Sequence, residues 1–393
     1  MSPAPGMAMR ITFATVFLLL ASLCATTVQA VPISVPSVVI SDRESDPLTR
    51  GTSPGALLMM RYRNATTFIT SSALGFVDPE GFAIRPDRWI YVADSGADPL
   101  RLGEPRGAVW LVDPSERFDS SVARLIAASQ LFVDPTDLLL ESDGNLLLAD
   151  PNADPYDRGA RSGAIFRIDP ATGNVSVVSA STLFSDPRSL ARDTDGTVLV
   201  LDRTADPLGT GIRGGALFRL HPTSGAVVTV RAFDATQTRR LMAVAVLPDG
   251  DYAICDADAD PGGSGTPRGA IFRLRKSTGR LETLIDSPFF SDPIDIAMGL
   301  GNELWALDQN SDFDNSPSTR GGVFGFDVTQ GVALHAQSHP FLREPAALSF
   351  VDGPAIDSTK VTWTDVTGGG SNRETSSRSG RRSRVGAPGT RAA

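Results

Sequence analysis

Cysteine, lysine and histidine are scarce in this chain. Its 393 residues include two cysteines, three histidines and two lysines, Lys276 and Lys360. If Cys24 is removed with an export leader, Cys255 has no partner, and a disulfide framework is excluded as the source of stability. No apolar run after residue 30 is long enough to predict a membrane-spanning helix. Stability must therefore come from a packed core or from bound cations.

The one strongly apolar segment lies at the N-terminus. Arg10 precedes an apolar run from Ile11 to Leu23, and Val28-Gln29-Ala30 is typical of the cleavage site of a secretory leader. The run is too short to span a bilayer comfortably. We therefore interpret residues 1–30 as a signal peptide and expect a secreted or periplasmic protein.

Negative charge dominates the body of the chain. The formal net charge is −9, although the stretch from Ser371 to Ala393 contributes +5 and Arg10 contributes +1, which leaves −15 for the rest. This balance disfavours DNA or RNA as the main partner. Residues 367–393 are rich in Gly, Ser and Arg and are predicted to be disordered; their arginines could also tether the protein to an anionic surface. We expect a monomer that binds an unknown protein or a small polar ligand.

Three markers recur in phase about every 53 residues. One is a glycine before an apolar strand, as in SGAIFRIDP, and another is Asp-Pro before a short apolar run. The glycines are Gly55, Gly107, Gly163, Gly215, Gly269 and Gly322. The third marker is an aspartate followed four residues later by a second one. The pairs are Asp42/Asp46, Asp94/Asp98, Asp150/Asp154, Asp202/Asp206, Asp256/Asp260 and Asp308/Asp312.

Each repeat predicts four β-strands. Between Asp134 and Ser181 these are DLLLES, LLLAD, GAIFRIDP and VSVVSAS, and Asp143-Gly144 predicts the first hairpin turn. Six such units predict an all-β, six-bladed β-propeller with four-stranded blades over residues 35–366. Pairing of SVVISD (Ser37–Asp42) with AALSF (Ala346–Phe350) would close the ring. KVTWTD (Lys360–Asp365) is an alternative to Ser37–Asp42 in that position.

The segment YVADSG and the recurring GAIFRI-type strand resemble the NHL-repeat and SMP-30-like six-bladed propellers. The resemblance covers roughly Val35 to Gly353. The resemblance implies the same fold. Members of this broad group have several functions, and they include lactonases, lyases, strictosidine-synthase-like enzymes and binding modules.

The paired aspartates predict calcium loops. Between each pair, the middle position carries a side-chain oxygen in five of six copies, because it is Glu44, Gly96, Asn152, Thr204, Asp258 and Asn310. Calcium prefers such hard oxygen ligands. All these pairs, with Glu44, Asn152, Asp258 and Asn310, are therefore candidate metal ligands. The alternative is ion pairing with the arginine that precedes the third strand. These arginines are Arg50, Arg106, Arg161, Arg213, Arg268 and Arg320.

Positions where the repeat is broken are candidates for a specific site. The predicted first strands begin at Gly81, Asp137, Ser189, Ala243, Asp295 and Ala347, which should line the central channel. Asp137 and Asp295 are three units apart and should face each other, and Arg240 replaces the usual aspartate at the rim. These three are the candidate catalytic residues. We predict an exported binding module stabilised by calcium. The alternative is a metal-dependent lactonase, hydrolase or lyase with its site at the channel mouth.

Overall fold

In the computed structural model the described residues form 24 regular elements, and all of them are β-strands. The structure describes residues 37–46, 55–61, 67–71, 76–113, 123–159, 162–236, 238–313 and 321–351. They belong to the first of the two units into which the chain divides, Met1–Pro354. The predicted signal peptide, the C-terminal segment 367–393 and the alternative strand Lys360–Asp365 lie outside the described residues. Within the described ranges, no helix is long and apolar enough to cross a membrane.

The strands form six antiparallel sheets of four, which we number blades 1 to 6. The innermost strands, from blade 1 to blade 6, are β24 (Pro345–Val351), β4 (Pro79–Ile84), β8 (Asp137–Leu140), β12 (Pro187–Arg192), β16 (Leu241–Val246) and β20 (Pro293–Met298). The second strands are β1 (Ser37–Asp42), β5 (Ile90–Asp94), β9 (Leu146–Asp150), β13 (Val198–Asp202), β17 (Tyr252–Asp256) and β21 (Glu303–Asp308).

The outer half of each blade follows the same order. The third strands are β2 (Ala56–Arg61), β6 (Ala108–Val112), β10 (Ala164–Ile168), β14 (Ala216–Leu220), β18 (Ala270–Leu274) and β22 (Gly322–Asp327). The outermost are β3 (Thr67–Ser71), β7 (Arg124–Ala127), β11 (Val175–Ser179), β15 (Val227–Ala232), β19 (Leu281–Ile285) and β23 (Val332–Gln337). Each innermost strand contacts those of both neighbouring blades, which closes a ring. The predicted six-bladed propeller is confirmed.

Blade 1 closes the ring by joining the two ends of the propeller. β1 pairs antiparallel with β24, from Ser37 opposite Val351 to Ser41 opposite Ala347. Ser37–Asp42 therefore occupies the second-strand position, as predicted. Because β1 lies between β24 and β2, no edge is left at the point where the two chain segments meet.

The core lies between the blades, along their second and third strands. All second strands are buried along their whole length, whereas outer strands such as β23 are half exposed. Aromatic side chains of the third strands meet loop aromatics edge-on, as in Phe132–Phe166 and Phe184–Phe218, with ring centroids 5.4 and 5.6 Å apart. The apolar strand pattern is thus explained by packing on both faces of each sheet.

The glycine and Asp-Pro markers form one junction between neighbouring blades. Gly163 has a φ of +80°, and a Cβ there would lie 2.5 Å from Pro187 Cδ in the next blade and 3.0 Å from the Asp150 carbonyl oxygen. The same approach recurs at Gly55, Gly107 and Gly269, each against the proline of the following blade. In the last blade the residue with positive φ is Gly321 rather than Gly322. Glycine is required here by conformation and by space.

A buried ionic cluster near the start of the second strands connects blades 4 and 5. Asp193, whose carboxylate is fully buried, accepts hydrogen bonds from Lys276 Nζ at 2.7 Å, Tyr252 Oη at 2.7 Å and Arg219 Nη2 at 2.9 Å. Burial alone would raise the pKa of Asp193, but the hydrogen bonds from Lys276 and Tyr252 hold it well below its usual range. One of the two lysines in the chain is thus used in a contact between blades.

Replacing Gly163 by alanine tests the junction. We expect Gly163→Ala to lower the free energy of unfolding by more than about 2 kcal/mol, because the methyl group would overlap the Pro187 ring and the backbone would be strained. Gly196→Ala is the matched control: its φ is +83° and nothing lies within 4 Å of its added Cβ, so only the conformational cost of about 1 kcal/mol applies. Urea denaturation measures both, and equal losses would contradict the proposed contact.

Candidate functional site

The first aspartate of each pair ends a second strand and is fully buried. Its carboxylate accepts backbone N–H groups from the loop that leads into the innermost strand of its own blade. In blade 3, Asp150 accepts from Val133 and Asp134 at 2.7 and 3.1 Å, and in blade 1, Asp42 accepts from Arg343 and Glu344 at 2.7 and 3.2 Å. Equivalent bonds are made by Asp94, Asp202, Asp256 and Asp308.

Burial governs the ionisation of these carboxyl groups. It raises the pKa of Asp42, Asp150, Asp202 and Asp308 to about 6, and the backbone N–H donors act in the opposite direction. The pKa values of Asp94 and Asp256 are raised for the same reason. The N–H groups supply the stabilisation that a buried carboxylate needs in place of water.

The second aspartate has a different environment from the first. Asp154 accepts the N–H groups of Arg158 and Gly159 at 3.0 and 2.8 Å, within its own loop. Asp98, Asp206 and Asp260 do the same with the residues four and five positions later. These side chains organise the long loop after the second strand, and they do not share a centre with the first aspartates.

The second aspartates of blades 1 and 6 were predicted as metal ligands like the others. Asp46 is buried, with 8% of its surface exposed, whereas Asp312 is exposed. Neither belongs to a group of acids that could hold a metal ion in the part of the chain that the structure describes. Asp42 and Asp308, the first aspartates of these two pairs, accept backbone N–H groups with both carboxylate oxygens. In blade 1 one of these groups is the N–H of Glu44, at 3.1 Å.

In blades 3 and 6 the middle residue of the loop contacts the Asp-Pro aspartate of its own blade. Asn152 Nδ2 donates to Asp134 at 2.8 Å, and Asn310 Nδ2 donates to Asp292 at 2.8 Å. Where blade 5 has Arg240 in place of that aspartate, the middle residue is the acid Asp258. Arg240 Nε then donates to Asp258 Oδ2 at 3.0 Å. Blades 3 and 6 have an acid at the Asp-Pro position and an amide at the middle position, whereas blade 5 has an arginine and an acid. Because the contact is kept, these two positions are partners.

Calcium in these loops stays a prediction. Within the described ranges, no group of three or more His, Cys, Asp or Glu side chains is arranged to hold a metal ion. Nor does Arg106 pair with Asp98: its nearest acid is Glu104 at 3.9 Å, and its guanidinium donates to the Gln130 carbonyl. Arg50, Arg161 and Arg320 lie outside the described residues. The observed partners of the first aspartates are backbone N–H groups.

The residues at the start of the innermost strands line the channel mouth, except that Met242 replaces Ala243 in the lining. Asp137 Oδ2 accepts the N–H of Leu190 in blade 4 at 2.7 Å, and its Oδ1 accepts its own Leu138 N–H at 2.7 Å. Asp295 does the same with Leu348 of blade 1 and its own Ile296, at 2.7 and 2.8 Å. Each carboxylate thus connects two blades.

The position of these two aspartates in the ring has a physical reason. Ser189 Oγ accepts the Val244 N–H of the next blade at 3.2 Å, so a polar side chain at this position can supply an acceptor to the neighbouring blade. Gly81 and Ala243 have no acceptor side chain, and the blades that follow them are those of Asp137 and Asp295. A carboxylate there can serve both its own strand and the next.

Asp137 and Asp295 are held in a form that binds a proton near neutral pH. Burial, followed by the negative charge of Asp295, raises the pKa of Asp137 to about 8. Burial raises the pKa of Asp295 to about 7, against the effect of its two N–H donors. Two carboxyl groups with such pKa values can donate or accept a proton or hydrogen bond to a bound polar molecule.

The rim above them carries arginine–carboxylate clusters. Arg43 binds both oxygens of Glu80 through Nε and Nη2, at 2.9 and 2.7 Å, and Nη1 donates to Glu344 at 3.3 Å. Arg240 binds Asp258 and Asp292. The candidate catalytic residue Arg240 is therefore neutralised by two acids. Burial raises the pKa of Glu80 to about 7, although Arg43 opposes this.

The mouth encloses a cavity of about 230 Å³ whose walls come from all six blades. Every blade contributes a charged lining residue and blade 4 contributes two; from blade 1 to blade 6 they are Arg43, Glu80, Asp137, Arg188 with Arg203, Arg240 and Asp295. Asp137, Asp295 and Arg240 are thus brought together, as the sequence analysis predicted. Arg43 and Arg203 were not predicted, although they share one signal: each directly follows the buried aspartate at the end of a second strand.

Solved structures share this fold at low sequence identity. A nidogen/laminin complex matches with a TM-score of 0.56 and 11% identity over 80% of this chain and 98% of that chain. TolB from Acinetobacter baumannii matches with a TM-score of 0.53 and 15% identity, over 80% of this chain and 66% of that chain. A protein of unknown function from Bacteroides caccae matches with a TM-score of 0.51 and 12% identity, over 80% of this chain and 99% of that chain. No protein-family profile and no curated protein sequence matches.

These identities show the fold alone. The six-bladed propeller is common to this chain and its structural neighbours. The finer resemblance to NHL-repeat or SMP-30-like proteins stays a prediction.

The buried carboxyl groups predict an unusual pH dependence. A carboxyl whose pKa is higher in the folded protein keeps its proton longer than in the unfolded chain. Stability therefore falls as pH rises from about 4 towards about 8, by about 1.4 kcal/mol per pH unit for each retained proton. We expect the double variant Asp137→Asn, Asp295→Asn to flatten this slope between pH 6 and 8, as measured by urea denaturation at each pH.

Asp143→Asn is the matched control for that slope. Asp143 lies in an exposed hairpin turn, where the Asn145 N–H lowers its pKa, so its loss should not alter the pH dependence above pH 6. Parallel curves for the wild type and the double variant would show that Asp137 and Asp295 do not carry the effect.

Proposed function

We propose that the protein is an exported binding module that takes a small polar ligand in the cavity at the channel mouth. One observation carries the proposal: residues that differ from blade to blade converge there, while the repeated residues build the junctions and loops. The cavity of about 230 Å³ is smaller than pockets for drug-sized ligands, which suits a small molecule. The export part of the proposal is supported by the sequence of residues 1–30.

The chemistry of the cavity favours a ligand with several hydrogen-bonding groups. Its floor offers two carboxyl groups that can be protonated or ionised, and its rim offers guanidinium groups fixed by ion pairs. Side chains held by such contacts bind with little loss of conformational freedom. A protein partner stays a prediction.

A variant that fills the cavity tests the binding proposal. Ala346 lines the cavity, and we expect Ala346→Phe to weaken by at least about tenfold any ligand found by a thermal-shift panel of amino acids, sugar acids and dicarboxylates. Ala171→Phe is the control, because Ala171 lies in an exposed turn away from the mouth. Binding that survives Ala346→Phe, or a panel without any stabilising compound, would contradict a ligand site in this cavity.

Calcium in the acidic loops stays a prediction supported by the D-x-[oxygen]-x-D pattern. Bound calcium would stabilise the folded state by mass action. The melting midpoint of chelator-treated protein should then rise by several degrees when millimolar calcium is restored. An unchanged midpoint would leave backbone N–H groups as the stabilising partners of these carboxylates.

The enzymatic alternative, a metal-dependent lactonase, hydrolase or lyase, also stays a prediction. Each oxygen of Asp137 and Asp295 already accepts a backbone N–H at 2.7–2.8 Å. Within the described ranges, neither aspartate belongs to a group of three or more possible metal ligands, so no metal-dependent step is assigned to them.

A further inference from the structure

Blade 4 has an excess of positive charge at the channel mouth. Arg188 precedes the channel-lining Ser189, and Arg203 follows the buried Asp202. Both donate through Nε to one carboxylate: Arg188 to Asp186 Oδ1 at 2.9 Å, and Arg203 to Asp186 Oδ2 at 2.6 Å. Two guanidinium groups therefore share a single acid, which leaves a net charge of +1 in this cluster.

The other rim arginines are neutralised by two or more acids each. Arg43 contacts Glu80, Glu344 and Asp78, the last at 3.4 Å, and Arg240 contacts Asp258 and Asp292. Blade 4 alone carries arginine at both positions. The equivalent pairs in blades 1, 2, 3, 5 and 6 are Ala346/Arg43, Glu80/Ser95, Thr136/Pro151, Met242/Ala257 and Ile294/Gln309. The excess of positive charge is therefore specific to blade 4 and is not a repeated feature of the blades.

Both arginines contact Asp186 through Nε, so the Nη atoms of their guanidinium groups can still donate hydrogen bonds to a ligand. Across the part of the chain that the structure describes, no acceptor takes a hydrogen bond from the Nη atoms of Arg188 or Arg203. Their side chains are 23% and 30% exposed, so the groups are partly desolvated yet reachable. The backbone of Asp186 is held in place by Asp202, which accepts its N–H at 3.0 Å.

The two arginines stand between two cavities. They line the mouth cavity and also a second cavity of about 390 Å³ between blades 3 and 4. Arg213 adds a third guanidinium to the second cavity, and Ser162 and Thr204 add hydroxyl groups. A ligand bound at the mouth can therefore place an anionic group against Arg188 and Arg203.

We propose that Arg188 and Arg203 form an anion-binding subsite that takes the carboxylate or phosphate group of the ligand through their Nη atoms. Planar guanidinium forks match the geometry of both oxyanions, and their charge-assisted hydrogen bonds are stronger than neutral ones. This inference rests on the proposed function, since it names the chemical class of the ligand for the same mouth: a small molecule that carries a carboxylate or a phosphate.

Titration of the full chain with inorganic phosphate and with succinate, at constant ionic strength, tests the subsite. At least one of the two anions should bind, and the double variant Arg188→Gln, Arg203→Gln should weaken it by about tenfold or more. Arg106→Gln is the matched control: Arg106 lies in a loop after a second strand, with an exposed fraction of 37%. Preference for phosphate or for succinate identifies which oxyanion the subsite is built for.

Asp186→Asn provides a second test in the opposite direction. Removing the one shared negative charge should tighten anion binding several-fold, while the backbone N–H contact with Asp202 is kept. This variant keeps the proposal falsifiable if the double arginine variant does not fold. The subsite is ruled out if neither anion binds, if Arg106→Gln weakens binding equally, or if Asp186→Asn weakens it.

The outcomes separate this inference from the proposed function. Ligand binding that is lost in Ala346→Phe but unaffected by Arg188→Gln, Arg203→Gln would reject the subsite and keep the channel-mouth site. Anion binding that is lost in the arginine variant but unaffected by Ala346→Phe would keep the anion subsite and reject the proposed function of the mouth cavity.

Discussion

The buried carboxylate at the end of each second strand is the contact on which the other features of the mouth depend. It receives two backbone N–H groups from the loop that leads into the innermost strand, as Asp150 does from Val133 and Asp134. This contact fixes where the innermost strand starts, and hence which side chains face the channel. An aspartate with a pKa raised to about 6 is destabilised by burial, and the two N–H groups offset that destabilisation.

The fold was predictable because repetition shows it directly. A period of about 53 residues, hairpin signals and short apolar runs predicted the blades, and the match of Ser37–Asp42 with a second strand predicted the closure of the ring. The candidate site was predictable in part. Counting from the repeat placed Asp137 and Asp295 at the channel, because position in a propeller blade fixes position relative to its axis.

The partners of the loop side chains were not predictable in the same way. The aspartate pairs resemble an ion-binding pattern, but Asn152 and Asp134 are partners at a separation of 18 residues, and nothing local indicates this. In blade 5 both positions differ together, since Arg240 replaces the acid and Asp258 replaces the amide. This paired difference can be interpreted only when the two positions are known to be in contact. Likewise, Arg188 and Arg203 look unrelated until a shared Asp186 brings them together.

Charge is distributed unevenly around the mouth, so the cavity is electrostatically polar. At blade 1 and at blades 5 and 6, acids outnumber the arginine that they surround, whereas at blade 4 two arginines share one acid. Asp137 of blade 3 and Asp295 of blade 6, whose pKa values burial raises to about 8 and about 7, also line the mouth. A uniform ring of repeats would produce no such polarity, because six equivalent positions would cancel. Under the proposed function, a ligand with charge or polarity at one end would be oriented by the mouth, through residues that the repeat does not require.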